Sequence, residues 1–334
     1  MSRMTAGSTP LAGSKIFTTT GIFLACCWLL LIAQCVQADK IRYSAMTPPE
    51  HVWTQVLERF SADLKKSSTN SIVMRESRFA KSFGEANILN MLKTDQLQVG
   101  VVAVASLTTL DPSLNGWLVP YAFGSTAEMV KAGQSSEASA MLDDLEKHNL
   151  IALGYVFPGM RQMLSVAPIK SVADLKGRRI GTFENDMFYN WYRQLGIDPQ
   201  PTQFMDALAR LQNGDIDAID CDLATAYGLH LYQAAGNLVL TNHMAFPGVL
   251  VVSREWWGKL NARQQTLVRE SAQRSIQWGH QQVAQLEKQA LKQLRSEGVR
   301  VMTAGAGDFG EVPTKLRDFY AATNARLGRF AAAL

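Results

Sequence analysis

Ser171-Val172-Ala173-Asp174-Leu175-Lys176-Gly177-Arg178-Arg179-Ile180-Gly181-Thr182-Phe183 opens a segment dense in helix and strand boundaries, and Phe204-Met205-Asp206-Ala207-Leu208-Ala209-Arg210-Leu211-Gln212-Asn213-Gly214-Asp215-Ile216-Asp217 closes it. Ser171 to Asp174 has the form of a capping box with Asp in the acidic slot, opening a short helix that Gly177 ends. Arg179 to Phe183 reads as a strand, followed by a helix from about Phe188 to Leu195. Gln203 to Gln212 is a second helix, stopped at Asn213-Gly214, and Ile216 to Asp220 is a short strand. Strands and helices alternating at this pitch specify α/β architecture.

The same alternation runs outward in both directions. Lys40 to Ala45 is a first strand ended by Pro48-Pro49, and Val52, Val56, Leu57, Phe60 and Leu64 form one stripe of a helix over Val52–Lys66. Ser71 to Met74 is a short strand and Gly84 to Thr94 a helix. Leu97 to Ala105 is a nearly continuous apolar run, suited to a strand buried on both faces as in a parallel sheet covered by helices. Ala138 to Lys147 is helical, while Leu150 to Val156 and Val249 to Val252 are extended. From Ala262 to Ser296 the pattern is helical without proline and interrupted only by Gly279. At 1.5 Å per residue that helix reaches about 50 Å, enough to cross two lobes.

Arg3 and Lys15 are the only charges before Asp39, and an apolar segment runs from Ile22 to Ala33. Val36-Gln37-Ala38 places small residues where a signal peptidase reads, so residues 1–38 are expected to be a secretory leader. The apolar segment is shorter than the roughly 20 residues of a bilayer-spanning helix, which argues against a retained anchor. Gln34 before Cys35 argues against a lipoprotein. The leader takes two positive charges from a formal net charge of +4, leaving a near-neutral chain without the electrostatic footprint of a nucleic-acid binder. It also carries Cys26, Cys27 and Cys35, so Cys221 alone remains and no internal disulfide can form.

Catalytic signatures are absent from the expected mature sequence. It has no Gly-rich phosphate loop followed by Lys-Ser/Thr, no paired-histidine zinc motif and no Gly-x-Ser-x-Gly elbow. The five histidines are scattered, and no neighbour of Cys221 marks it as a nucleophile, so it reads as a buried structural cysteine. No enzyme activity, cofactor or metal is expected.

Together these segments resemble the solute-binding proteins of TRAP transporters, the DctP type. Phe83-Gly84-Glu85 stands at that family's Leu-Gly-acidic turn, Val119-Pro120-Tyr121-Ala122-Phe123 resembles its Leu-Pro-Phe segment, and Gly159-Met160-Arg161-Gln162 its Gly-Phe-Arg-Gln. Asp174 to Ile180 resembles Asp-Leu-Lys-Gly-x-Lys-Ile, and Phe204 to Asp217 resembles Phe-x-Glu-x-x-x-Ala-Leu-Gln-x-Gly-x-x-Asp. Ser253 to Leu260 has the tryptophan-leucine ending. The resemblance implies an α/β, two-lobed periplasmic binding protein fold with a ligand cleft between the lobes and a long helix spanning both. Lobe I would hold residues 39–158 and about 247–286, and lobe II residues 159–246 and about 287–334.

The resemblance also implies an arginine clamp on a ligand carboxylate just after Ile180, because a planar guanidinium fork matches two oxygens. Gly181 stands there. Either the ligand lacks that carboxylate or another cation supplies the grip, and Arg179, two residues earlier on the same strand face, is the nearest stand-in. Arg161 matches the family's second arginine, as a ligand contact or as half of a structural ion pair. Phe204 matches its ligand-packing aromatic, against the alternative of ordinary core, and Cys221 replaces a frequent asparagine. Glu184 faces the expected rim, to bind an amine or hydroxyls or simply to stand solvated. Glu85 begins a helix, where it serves the helix dipole or the pocket. Ser106 ends the buried Leu97–Ala105 run, where strands present residues to a cleft.

These readings imply a monomeric periplasmic receptor that captures a small polar or anionic organic solute by lobe closure. It would deliver the solute to the small and large membrane subunits of a TRAP permease. The alternatives are a ligand sensor for a membrane receptor and, less favoured, a periplasmic enzyme.

Overall fold

The computed structural model describes residues 41–81 and 84–332. The expected leader with its cleavage point and three cysteines, Lys40 and Phe83 lie outside the described residues. In chain order the strands are β1 Ile41–Ser44, β2 Met74–Glu76, β3 Val99–Ala103, β4 Leu150–Val156, β5 Gln162–Ser165, β6 Arg179–Thr182, β7 Asp198–Pro201, β8 Ala218–Cys221, β9 Asn237–Leu240, β10 Gly248–Ser253 and β11 Arg300–Thr303. The helices that matter below are α1 Val52–Ser67, α2 Glu85–Lys93, α3 Val104–Leu107, α4 Asp186–Gln194, α5 Ala207–Gln212, α6 Leu223–Gly228 and α7 Ala262–Ser296.

The strands form two sheets, ordered β2-β1-β3-β10-β4 and β11-β9-β5-β8-β6-β7. Each is mixed. In the first, β1 pairs in parallel with β2 and β3, whereas β10 runs antiparallel between β3 and β4. In the second, β5 is antiparallel to β8 and β9, while β6 pairs in parallel with β7 and β8. The apolar run after Leu97 is therefore buried on both faces as expected, but beside an antiparallel neighbour. Its strand is also shorter than the run, because Val104–Leu107 turns into α3. The strand expected at Ser71–Met74 begins only at Met74, since Ile72 donates its N–H to Ser68 Oγ in the turn that leaves α1.

The chain passes between the sheets after β4 and again between β9 and β10, where Met160 bridges Ala245. Helix α7 links them a third time. Asn261 and Gln264 cap it reciprocally at 3.0 Å, fixing its first turn. Its first half lies on α1 and β4, with Gln273 Nε2 donating to the Leu153 carbonyl at 3.0 Å. Gly279 permits that approach, because a Cβ there would come within 2.6 Å of Val56 Cγ2. Its second half packs on α6, and Ala290 and Leu294 enter the core that contains Ile219 and Cys221. The interruption in the helical pattern is thus a packing contact.

Candidate functional site

A cavity of about 610 Å³ opens between the two sheets. From the first-sheet side come Met46, Glu85 and Leu89, together with Ala105, Ser106 and Thr109 in and after α3. From the other side come Phe183 and Glu184 past the end of β6, Pro201 and Thr202 at the end of β7, and Gln203, Phe204, Asp206 and Arg210 leading into α5. Met46, Phe183, Glu184, Pro201 and Thr202 lie at or just past the carboxyl ends of strands, the usual place for a ligand in an α/β sheet, while Glu85 and Leu89 stand on α2 and Arg210 on α5. Asn185 joins the two sides beside the cavity. Its Oδ1 caps α4 by accepting from Met187 N–H at 2.8 Å, and its Nδ2 donates to Thr108 Oγ1 at 3.0 Å.

Four sequence candidates meet here: Glu85, Ser106, Glu184 and Phe204 all line the cavity. Glu85 follows Gly84, whose φ of +79° suits glycine, and its carboxylate accepts from the Ala103 N–H. Burial pushes its pKa up to about 7, against the lowering effect of the hydrogen bonds from Ala103 and Ser106. Glu184 is exposed at the rim. Phe204 stands edge-on to Phe246, ring centroids 6.3 Å apart.

Arg161 lies outside the lining, fully buried behind Phe204 and Phe246. Its Nε donates to Asp220 Oδ1 at 2.6 Å, and its Nη2 donates to the Asp220 carbonyl. Asp220 Oδ2 accepts from Tyr192 Oη at 2.8 Å and Thr182 Oγ1 at 3.2 Å, with His243 Nε2 at 3.6 Å. Burial opposes the charge on Asp220, but Arg161 and His243 outweigh it and hold the carboxyl down at about 2. The Arg161 guanidinium carbon sits 4.5 Å from the Phe246 centroid, and Nη1 has no hydrogen-bond partner among the described residues. The structural ion pair is the arrangement present.

Three other candidates are not brought to the cavity. Arg179 sits at the opposite end of β6, where Asp217 takes its backbone N–H, Nε and Nη2 at 2.9, 3.1 and 2.8 Å. Sharing a strand face with residue 181 is not enough, because two residues along a strand move the side chain about 6.6 Å from the cleft end. Gly181 faces packing: a Cβ there would lie 2.7 Å from both Ile216 Cδ1 and Ile219 Cδ1, and 2.9 Å from Thr202 Oγ1. Cys221 points into the second core, buried as a thiol whose pKa desolvation drives upward.

Arg210 was not singled out by the sequence reading and is the one cationic side chain among the described residues of the lining. It stands at the alanine of the Phe-x-Glu-x-x-x-Ala-Leu-Gln pattern, which is the signal that could have marked it. Its Nη1 donates to the Pro201 carbonyl at 2.5 Å and to Thr202 Oγ1 at 2.6 Å. Asp206, one helical turn earlier, adds a third carboxylate to those of Glu85 and Glu184.

Two sheets with a polar-rimmed, aromatic-walled cleft between them and short crossings beside it define a two-lobed solute-binding protein. The chain belongs to the bacterial extracellular solute-binding protein family 7, DctP, whose description matches residues 43–326. It is 21% identical to the C4-dicarboxylate-binding periplasmic protein DctP of Shewanella loihica, over 66% of this chain and 67% of that protein. A TRAP periplasmic solute-binding protein of Xanthobacter autotrophicus, solved with bound β-D-galacturonate, superposes with a TM-score of 0.83 at 22% identity, covering 88% of this chain and 98% of that one. One from Haemophilus influenzae with bound L-gulonate gives 0.83 at 20% identity, over 88% and 97%.

Proposed function

We propose that this chain is the periplasmic receptor of a TRAP-type secondary transporter, capturing a small polar or anionic organic solute and passing it unchanged to the two membrane subunits of a permease. The observation that carries this reading is the 610 Å³ cavity lined from both sheets, with one guanidinium and three carboxylates set among aromatic and aliphatic walls. The volume is that of a small-molecule site, and its few polar groups would fix ligand orientation. The relatives' ligands, C4-dicarboxylates, a uronate and an aldonate, are small organic acids and support the same class here. Among the described residues no helix is long and apolar enough to cross a membrane.

Closure would bring residues 39–158 and about 247–286 against residues 159–246 and about 287–334. Ligand contacts to both sides then stabilise the closed state by differential affinity. Thermal-shift titration with D-galacturonate, L-gulonate and succinate tests the reading. A true ligand at a hundredfold over its Kd adds about 2.7 kcal/mol of stability. Mass spectrometry of the released compound should find it chemically unchanged. No shift with any of the three acids defeats this ligand class, and steady conversion of a bound compound defeats the receptor role.

A further inference from the structure

We propose that Arg210 is the anion-gripping residue of this cleft, its guanidinium carried on α5 and steadied by the Pro201 carbonyl and the Thr202 hydroxyl, and that the ligand is a hydroxyl-bearing carboxylic acid. The proposal rests on the receptor reading above and deepens it by assigning the charge that selects the ligand.

Arg161, Arg179 and Arg210 differ in what neutralises each one. Arg161 is sealed against Asp220 behind two phenylalanine rings. Arg179 is held three ways by Asp217. Arg210 donates Nη1 to two neutral oxygens, the Pro201 carbonyl and Thr202 Oγ1, so its charge stays uncompensated by them while the side chain lines the cavity. A guanidinium has five N–H donors, and two bonds from one nitrogen leave Nη2 and Nε to face a carboxylate as a fork.

Gly181 is part of the same device. A Cβ at 181 would approach Thr202 Oγ1 to 2.9 Å, the same oxygen that receives Arg210 at 2.6 Å. A side chain at 181 would therefore press on the Thr202 hydroxyl that holds Arg210, as well as on Ile216 and Ile219. The other titratable lining side chains are Glu184, Asp206 and the buried Glu85, whose pKa stands near 7. Ionised carboxylates accept hydrogen bonds and repel a second acid group. They suit the hydroxyls of a sugar acid and disfavour a dicarboxylate, whose second charge would have no cationic partner in the lining.

The test uses the purified protein and isothermal titration with D-galacturonate, its methyl ester, D-galactose and succinate. The wild type should prefer galacturonate over both neutral compounds, and over succinate. Arg210→Gln should weaken galacturonate by about 100-fold, the effect of removing one partner of a charge-assisted pair, and erase the preference over the ester. Arg210→Lys, which keeps a point charge without the fork, should recover part of the loss. Arg179→Gln should bind as the wild type does. Should Arg210→Gln fail to fold, Thr202→Val removes the steadying hydroxyl and should still weaken galacturonate selectively over its ester. Galacturonate binding that survives Arg210→Gln within threefold overturns the proposal and leaves the receptor reading intact. A wild type that binds succinate more tightly than galacturonate overturns the ligand assignment. A wild type that binds no acid overturns both readings.

Discussion

Asp220→Asn is the perturbation that most directly probes how this fold holds Arg161. Both side chains are inaccessible to solvent, with a single Nε–Oδ1 contact of 2.6 Å and a second bond from Nη2 to the backbone of the same residue. Removing the carboxylate charge leaves a guanidinium buried among Phe188, Phe204 and Phe246, and faces attached to rings compensate little of the lost solvation. Breaking such a pair from one side costs about 3–5 kcal/mol. At roughly 2 °C per kcal/mol for a chain of this size, the midpoint should fall by roughly 6–10 °C. Asp217→Asn is the matched control: its partner Arg179 is 42% exposed, so the loss should not exceed about 1 kcal/mol. Urea unfolding of both variants, with the double variant Asp220→Leu/Arg161→Met, measures the coupling. The double variant should recover part of the loss, because no uncompensated charge remains, although Tyr192 and Thr182 lose their acceptor. If Asp220→Asn costs no more than Asp217→Asn, the pair does not behave as a desolvated ion pair and the packing argument for Arg161 fails.

Protonation gives two further tests of opposite sign. Asp220 has a folded pKa near 2, below its unfolded value, so its stabilising contribution is complete above the unfolded pKa and is lost as pH falls through 2; the acid limb of stability should be shallower in Asp220→Asn. Glu85 has a folded pKa near 7, above its unfolded value, so stability declines as pH rises from about 4.3 toward 7. Above 7 its charge should also weaken an acid ligand, and Glu85→Gln should flatten the pH dependence of binding between about 6 and 8; an unaltered profile rejects the role. Asn185→Ala removes both an N-cap and the bridge to Thr108, so it should cost about 1 kcal/mol and raise the ligand off-rate, read by stopped-flow fluorescence. Gly159→Ala should destabilise by about 1–3 kcal/mol, since φ is +105° and a Cβ would overlap Glu287 Oε1 at 2.2 Å; a variant with unchanged unfolding midpoint contradicts that geometry.

Much of the architecture was legible because its signals are local. The span of α7 follows from helical spacing without proline, and β3 and β10 from apolar runs that only burial on both faces explains. Strands such as β7, Asp198-Pro199-Gln200-Pro201, carry no such signal. Two prolines contradict strand propensity, and only its position at the edge of the sheet makes them tolerable. The candidate site divides along the same line. Glu85, Ser106, Glu184 and Phe204 are placed by where an element begins or ends, which the sequence reports, and all four line the cavity.

The arginines could not be sorted that way, because what decides their use is a partner far along the chain. Asp220 is 59 residues from Arg161 and Asp217 is 38 from Arg179, and each is delivered by the register of β8 against β5 or beside β6. Position 181 shows the same limit from the other direction. Its lack of a side chain looks in sequence like the loss of a cation, whereas in three dimensions the position packs on Ile216, Ile219 and Thr202, and the cation that lines the cleft comes from a helix later in the chain. An arginine at a motif position therefore predicts an anion site only when its charge is left over after the protein's own carboxylates are counted. By that count Arg161 and Arg179 are held by their carboxylates, and Arg210 carries the charge that faces the cleft.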